Sequence, residues 1–234
     1  MSKKHQTPVQ ESTLELDRDL RTGFEKVEHF VEDNYKPILA VVGAVALVLL
    51  AYLAYHNWWL PSKEAEAQSQ LFMTQQYFNK GDYDKVLNGD ATNPGALKVI
   101  NQYSGSTKAV NLAYYYAGIA YLNKGEFQKA IDYLSDFSSD DEVVSTMALG
   151  AIGDAYGELG KMSDATSYYQ KAAANSQNEF TAPMFLMKAG MAAEANKDFK
   201  TAKNAYEQLK QKFPNSQQGR DAEKYLTRAE MQIK

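Results

Sequence analysis

Pro37 to Tyr55 reads PILAVVGAVALVLLAYLAY, nineteen residues with no charge, amide or hydroxyl other than that of tyrosine. As a helix rising 1.5 Å per residue it spans roughly 29 Å, the thickness of a bilayer hydrocarbon core. The mean hydropathy of the whole chain, −0.49, conceals it. Tyr35 and Lys36 stand just before the run, and Tyr52, Tyr55, Trp58 and Trp59 crowd its far end. Interfacial aromatics and snorkelling cations take these positions at a membrane. The expectation is a transmembrane helix over 37–60, in contact with the lipid bilayer. Ala65-Glu66-Ala67 resembles a cleavage site, but a charged leader of thirty-six residues exceeds signal-peptide proportions, so a retained anchor is expected. Arg18, Arg21, Lys26 and Lys36 precede the span closely, against Lys63 and Lys80 after it. By the positive-inside bias the N-terminus is cytoplasmic and the larger C-terminal part lies across the membrane.

Residues 1–36 form a separate tail. The first twelve are polar and expected to be disordered. Beyond them Leu16, Leu20, Phe24, Val27 and Val31 recur at spacings of four, four, three and four, one face of a helix with Glu15, Asp17, Asp19, Glu25 and Glu28 elsewhere on it. Two readings stay open: an amphipathic helix on the membrane surface, or a docking helix for a cytoplasmic or membrane partner.

From residue 61 to 234 the apolar pattern is helical and repeats. Gly118 and Gly153 stand seven residues before Gly125 and Gly160; Tyr121 and Tyr156 stand four before them; Ala130 and Ala165 five after; Leu134 and Tyr169 nine after. The period is 35. Gly190, Ala202 and Tyr206 follow their counterparts at an interval of 37, with Lys197 where the loop glycine would be, and a degenerate first unit carries Tyr77, Gly81 and Val86. Small residues let paired helices approach, while the large ones fill the layer between units. Units are expected near 67–100, 111–144, 146–179 and 183–216, with a short inserted helix and turn over 93–107 and a helix over 216–232 capped by Ser216. This pattern resembles the tetratricopeptide repeat, and the expected fold class is all-α: one N-terminal transmembrane helix followed by a tetratricopeptide-repeat α-solenoid.

Composition narrows the chemistry. Cysteine is absent, and the three histidines, His5, His29 and His56, all precede the repeats. Thiolate nucleophiles, cysteine zinc sites and imidazole acid–base pairs are thereby removed from the repeat region. Twenty-five basic residues against twenty-nine acidic give no basic field for nucleic acid. Asp136, Asp140, Asp141 and Glu142 read as a solvated loop and helix start rather than a calcium site. No enzyme, metal or cofactor is expected; the repeats read as a protein-binding module.

The whole layout resembles the YfgM-type ancillary subunits of the bacterial Sec translocon. The residues that carry the resemblance are Glu28 to Tyr55, the Gln102-Tyr103-Ser104-Gly105-Ser106 turn with Ala109 to Tyr121, and the Phe213-Pro214-Asn215-Ser216 junction. It implies an inner-membrane protein with a periplasmic repeat domain, beside the Sec channel subunits and a membrane-anchored periplasmic chaperone, that serves translocated client polypeptides. The alternatives are a structural adaptor in cell division or outer-membrane assembly, or, with reversed orientation, an organelle import receptor.

In repeats of this kind the first helix of each unit lines the inner face. Counting from Asn111, Thr146 and Pro183, the expected groove residues are Leu112, Tyr115, Ile119 and Leu122, then Met147, Asp154 and Glu158, then Met184, Met187 and Met191. The methionines form a flexible, polarisable stripe suited to varied apolar segments, unless the last helix folds over it. Asp154, beside Gly153 but turned away from the helix contact, is expected to tolerate substitution by Asn.

Overall fold

The computed structural model describes residues 8–103, 107–176 and 178–233, with side chains given for residues 21, 22 and 26 and from 28 onward. The chain divides into two compact units, one ending at Trp59 and one beginning at Leu60.

The first unit is α1 (Pro8–Ala54) followed by a π-helical turn over Tyr55–Trp59. The helix begins within the stretch expected to be disordered. It is interrupted at Asn34 (φ −117°, ψ 17°), three residues before Pro37. Proline has no N–H to offer the carbonyl of Asp33, and the ladder gives way one turn upstream. The Asn34 amide nitrogen donates to the Phe30 carbonyl at 2.9 Å. Past the break the helix is long and apolar enough to cross a membrane, and its side chains are unburied. Tyr52 stacks on His56 and Tyr55 on Trp59, while Trp58 is 80% exposed. The expected stripe residues Leu16, Leu20, Phe24 and Val27 lie outside the described side chains.

The second unit is built from helices throughout. α2 (Leu60–Asn79) and α3 (Tyr83–Asn88) make the first pair, α4 (Ala96–Tyr103) is the insertion, and three full pairs follow. These are α5 (Lys108–Asn123) with α6 (Phe127–Ser135), α7 (Glu142–Glu158) with α8 (Met162–Asn175), and α9 (Thr181–Ala195) with α10 (Phe199–Lys212). α11 (Gln217–Glu230) closes the series, with the Ser216 hydroxyl accepting from the Gly219 N–H at 2.9 Å. The turn over 104–106 lies outside the described residues.

The 35-residue pattern has a direct geometric meaning. A Cβ on Gly118 would meet Leu134, one on Gly153 would meet the Tyr169 ring, and one on Gly190 would meet the Tyr206 ring. Each glycine admits the large residue of its own second helix. Gly81, Gly125 and Gly160 turn between the paired helices at φ of 70°, 77° and 74°, and Lys197 adopts φ 59° at the equivalent place. A lysine there accepts the backbone strain that glycine avoids.

The first pair departs from the pattern. α3 has six residues, and the loop after it is held by Asp90, whose carboxylate accepts from the Tyr77 hydroxyl at 2.5 Å and from the N–H groups of Thr92 and Asn93. The tyrosine hydrogen bond, with the two amides, holds this carboxyl far below the usual carboxylate range. A depressed folded value means that the loop's contribution is complete above the ordinary carboxylate pKa and is lost only as pH falls through the lower one. Acidification to about pH 3 should therefore leave the loop closed. Asp90→Ala should open it at neutral pH, read as faster amide exchange at Thr92 and Asn93.

Candidate partner-binding surface

α2, α5, α7 and α9 pack side by side in series, so the first helices of the pairs share one face. Each helix buries one row in the core and leaves an adjoining row on this face. On α2 the buried row is Ala67, Leu71, Thr74 and Tyr77, and Phe72 stands off it, 58% exposed. On α5 Leu112, Tyr115, Ile119 and Leu122 are half-buried against the main core. Tyr115 sits among rings, 5.3 Å from Phe137 and 6.4 Å from Phe78, and burial pushes its phenol pKa up. On α7 Met147 is 38% exposed and Glu158 is exposed as well. On α9 Met191 is 42% exposed and Met184 half-buried beside the Tyr169–Phe185 cluster.

Met187 has a different position. It is 8% exposed and belongs to the C-terminal core with Tyr206, Phe213, Ala222 and Leu226. The three methionines therefore do not form one open stripe. Spacings of three and four turn Met187 toward α11, and Met184 and Met191 remain at the margin.

Two hollows gather the expected residues. A cavity of about 340 Å³ brings Leu112 together with Phe72, Leu71, Tyr116, Gln68 and Glu64. Glu64 also accepts from the Lys108 and Ala109 N–H groups, at 2.6 and 3.2 Å, and so caps α5 from the preceding pair. A second hollow of about 500 Å³ joins Leu122, Phe127, Asp154, Glu158 and Tyr169. Phe72 has no place in the sequence count because the first pair is too degenerate to set a register. Its one signal is a lone aromatic among Gln68, Gln75 and Gln76.

Asp154 is engaged, contrary to the expectation that it faces away from the helix contact. It accepts from the Tyr169 hydroxyl at 2.6 Å and from the Lys188 ammonium at 2.7 Å, linking α7, α8 and α9. Burial, and then this hydrogen bond, raise the Tyr169 pKa strongly. A parallel link joins the Tyr206 hydroxyl and the Arg228 guanidinium to Glu194. Asp154→Ala should leave a buried tyrosine hydroxyl unpartnered and cost about 1–3 kcal/mol in thermal unfolding. Asp154→Asn should retain the acceptor and lose less.

The acidic stretch after α6 has structural partners. Asp141 accepts from the Val143 and Val144 N–H groups at the start of α7, and Glu142 accepts from the Ser176 hydroxyl. At the positions expected to meet a membrane interface, Tyr35 is 51% exposed with the Lys36 ammonium 5.9 Å from its ring centre, and Tyr52, Tyr55 and Trp59 are exposed as well.

A tetratricopeptide-repeat family model matches residues 112–140 and 185–216, which fall in the second and fourth helix pairs. No curated protein matches the chain. Among solved structures, nearly identical TPR-like repeats ascribed to a kinesin light chain of Podosopora anserina superpose with a TM-score of 0.52 at 13% identity, covering 72% of this chain and 87% of that one. A point variant of the same repeats gives 0.51 at the same identity and coverage. At such identity the likeness is one of fold. From Leu60 onward the chain has a tetratricopeptide-repeat-like solenoid fold, an architecture of protein–protein interaction.

Proposed function

We propose that the chain is a single-span membrane protein whose repeat region holds an apolar segment of a partner polypeptide on the first-helix face. The observation that carries this reading is the row of exposed apolar side chains there, Phe72, Met147 and Met191, each next to a buried row of its own helix. Methionine and phenylalanine offer area without directional demands, which suits a binder of varied sequences. Residues 1–36 form the cytoplasmic tail, 37–60 the span, and 61–234 the repeat domain on the periplasmic side of a bacterial inner membrane. The lysine and arginine bias around the span and its aromatic exit support that orientation. The resemblance of the whole layout to YfgM-type subunits supports a finer role, as an accessory of the Sec translocon that works with a membrane-anchored periplasmic chaperone on translocated clients.

The test is Met147→Glu combined with Met191→Glu in the full chain. Both side chains are over a third exposed, so the unfolding temperature should hold within about 2 °C, the scale of a surface change of about 0.5 kcal/mol. Cross-linking to the Sec channel subunits or the chaperone in membranes should fall at least about tenfold if roughly 1.4 kcal/mol of binding is lost. Unchanged cross-linking would remove this face from the interaction. Two further measurements address the topology. The native N-terminus should be retained in carbonate-extracted membranes, and the repeat domain should become protease-sensitive in spheroplasts.

A further inference from the structure

The helical tail before Asn34 has a charge that bears on what it docks against. Residues 8–34 hold eight carboxylates against three basic side chains, a net charge of −5. Around this charge the sequence keeps its apolar residues at helical spacing, and the described end of that stripe, Val31, is 45% exposed, with the neighbouring Phe30 62% exposed. Glu28, Glu32 and Asp33 beside them are exposed as well. The break at Asn34 and Pro37 separates this helix from the apolar span, so the two need not share a direction.

An amphipathic helix that lies on a membrane carries lysine and arginine on its polar face, because the cytoplasmic leaflet is anionic. This helix carries the opposite charge, and the leaflet repels it. The surface at the same height with the complementary sign belongs to proteins, since cytoplasmic loops of integral membrane proteins are enriched in lysine and arginine beside their spans. We propose that the acidic helix of residues 8–33 docks its apolar stripe and carboxylate rim onto a lysine- and arginine-rich, membrane-proximal surface of another integral membrane protein. This inference rests on the span and orientation given under Proposed function, and is independent of the repeat face.

The test uses the full chain in vesicles. Flotation with the vesicles and protease access to the repeat domain are scored first, because they report the span and its direction. The absence of native cysteine allows a single spin label at Leu20→Cys. Vesicles are made of phosphatidylcholine alone or mixed with phosphatidylglycerol, and the probe is a lysine-rich peptide interspersed with leucine. The label should stay in water in both vesicles and become immobilised when the peptide is added, an effect that fades as salt is raised. With Glu25→Lys, Glu28→Lys and Glu32→Lys together, the apolar stripe is intact and the net charge of about −5 becomes about +1. Peptide affinity should then fall about tenfold or more, and the label should move into the phosphatidylglycerol interface. A native label already buried in anionic lipid would overturn the proposal in favour of a membrane-surface helix. Equal peptide binding by the triple variant would overturn it too. A chain that fails to float removes the span, and this docking helix with it.

Discussion

Gly190→Leu and Gly153→Leu should each lower the unfolding temperature of the repeat region by several degrees. The Cβ of residue 190 would enter the ring of Tyr206, which is fully buried, and that of residue 153 would come within 2.7 Å of the Tyr169 ring. Neither ring can swing away cheaply, because its hydroxyl is tied to Glu194 or Asp154 and its faces fill the layer between pairs. Overpacking of this kind costs about 1–3 kcal/mol, and sometimes more when two helices must part. At this domain size each kcal/mol moves the midpoint by about 2–4 °C. Gly157→Ala is the control. Its Cβ would meet only the Tyr169 hydroxyl, at 3.8 Å, an ordinary contact. In an otherwise unstrained helix that change should stabilise by about 0.5–1 kcal/mol. Equal losses at residues 157 and 153 would refute the close-packed role of the repeat glycines.

Why that role can be read from the sequence is itself physical. A glycine that makes room for a tyrosine or leucine leaves two marks at a fixed separation, and repetition at intervals of 35 and 37 residues removes coincidence. The loop position is legible even where it carries lysine, because Lys197 inherits its neighbours' spacing. Side-chain direction within a helix is not legible in this way. Met187 and Met191 occupy adjacent turns, yet one is core and the other surface, and the difference depends on where α11 lies. The same holds for Asp154, whose partners, Tyr169 and Lys188, come from two other helices. Phe72 escapes the repeat count because a six-residue α3 breaks the register that the other pairs share. The long apolar helix, the repeat helices and their pairing are therefore legible from local pattern, whereas the face is decided by contacts between residues fifteen to thirty-four apart.

Removing the chain from Ser216 onward should cost the most. A solenoid ends on an exposed core face unless a last helix covers it, and α11 does so with Ala222, Leu226 and Ala229. Beneath them lie Tyr206, Leu209 and Phe213, all 8% exposed or less, together with Met187. The truncation would open this cluster to water and remove Arg228 from Glu194, leaving a carboxylate and the Tyr206 hydroxyl without their cation. The milder variant, Leu226→Ala, deletes three carbons from a site that is 8% exposed and should cost about 2–3 kcal/mol, at the lower end for a buried leucine because part of the space can be refilled. Leu226→Asp adds an unpaired charge to the same site and should destabilise further. Calorimetry of the three forms separates the contributions. The truncated chain should lose the α9–α10 pair first, seen as a lower-temperature transition or early exchange of the α10 amides, while α5 to α8 retain their protection. A truncated chain that melted at the native temperature would show that α11 does not act as a cap, and that Met187 lies buried for some other reason.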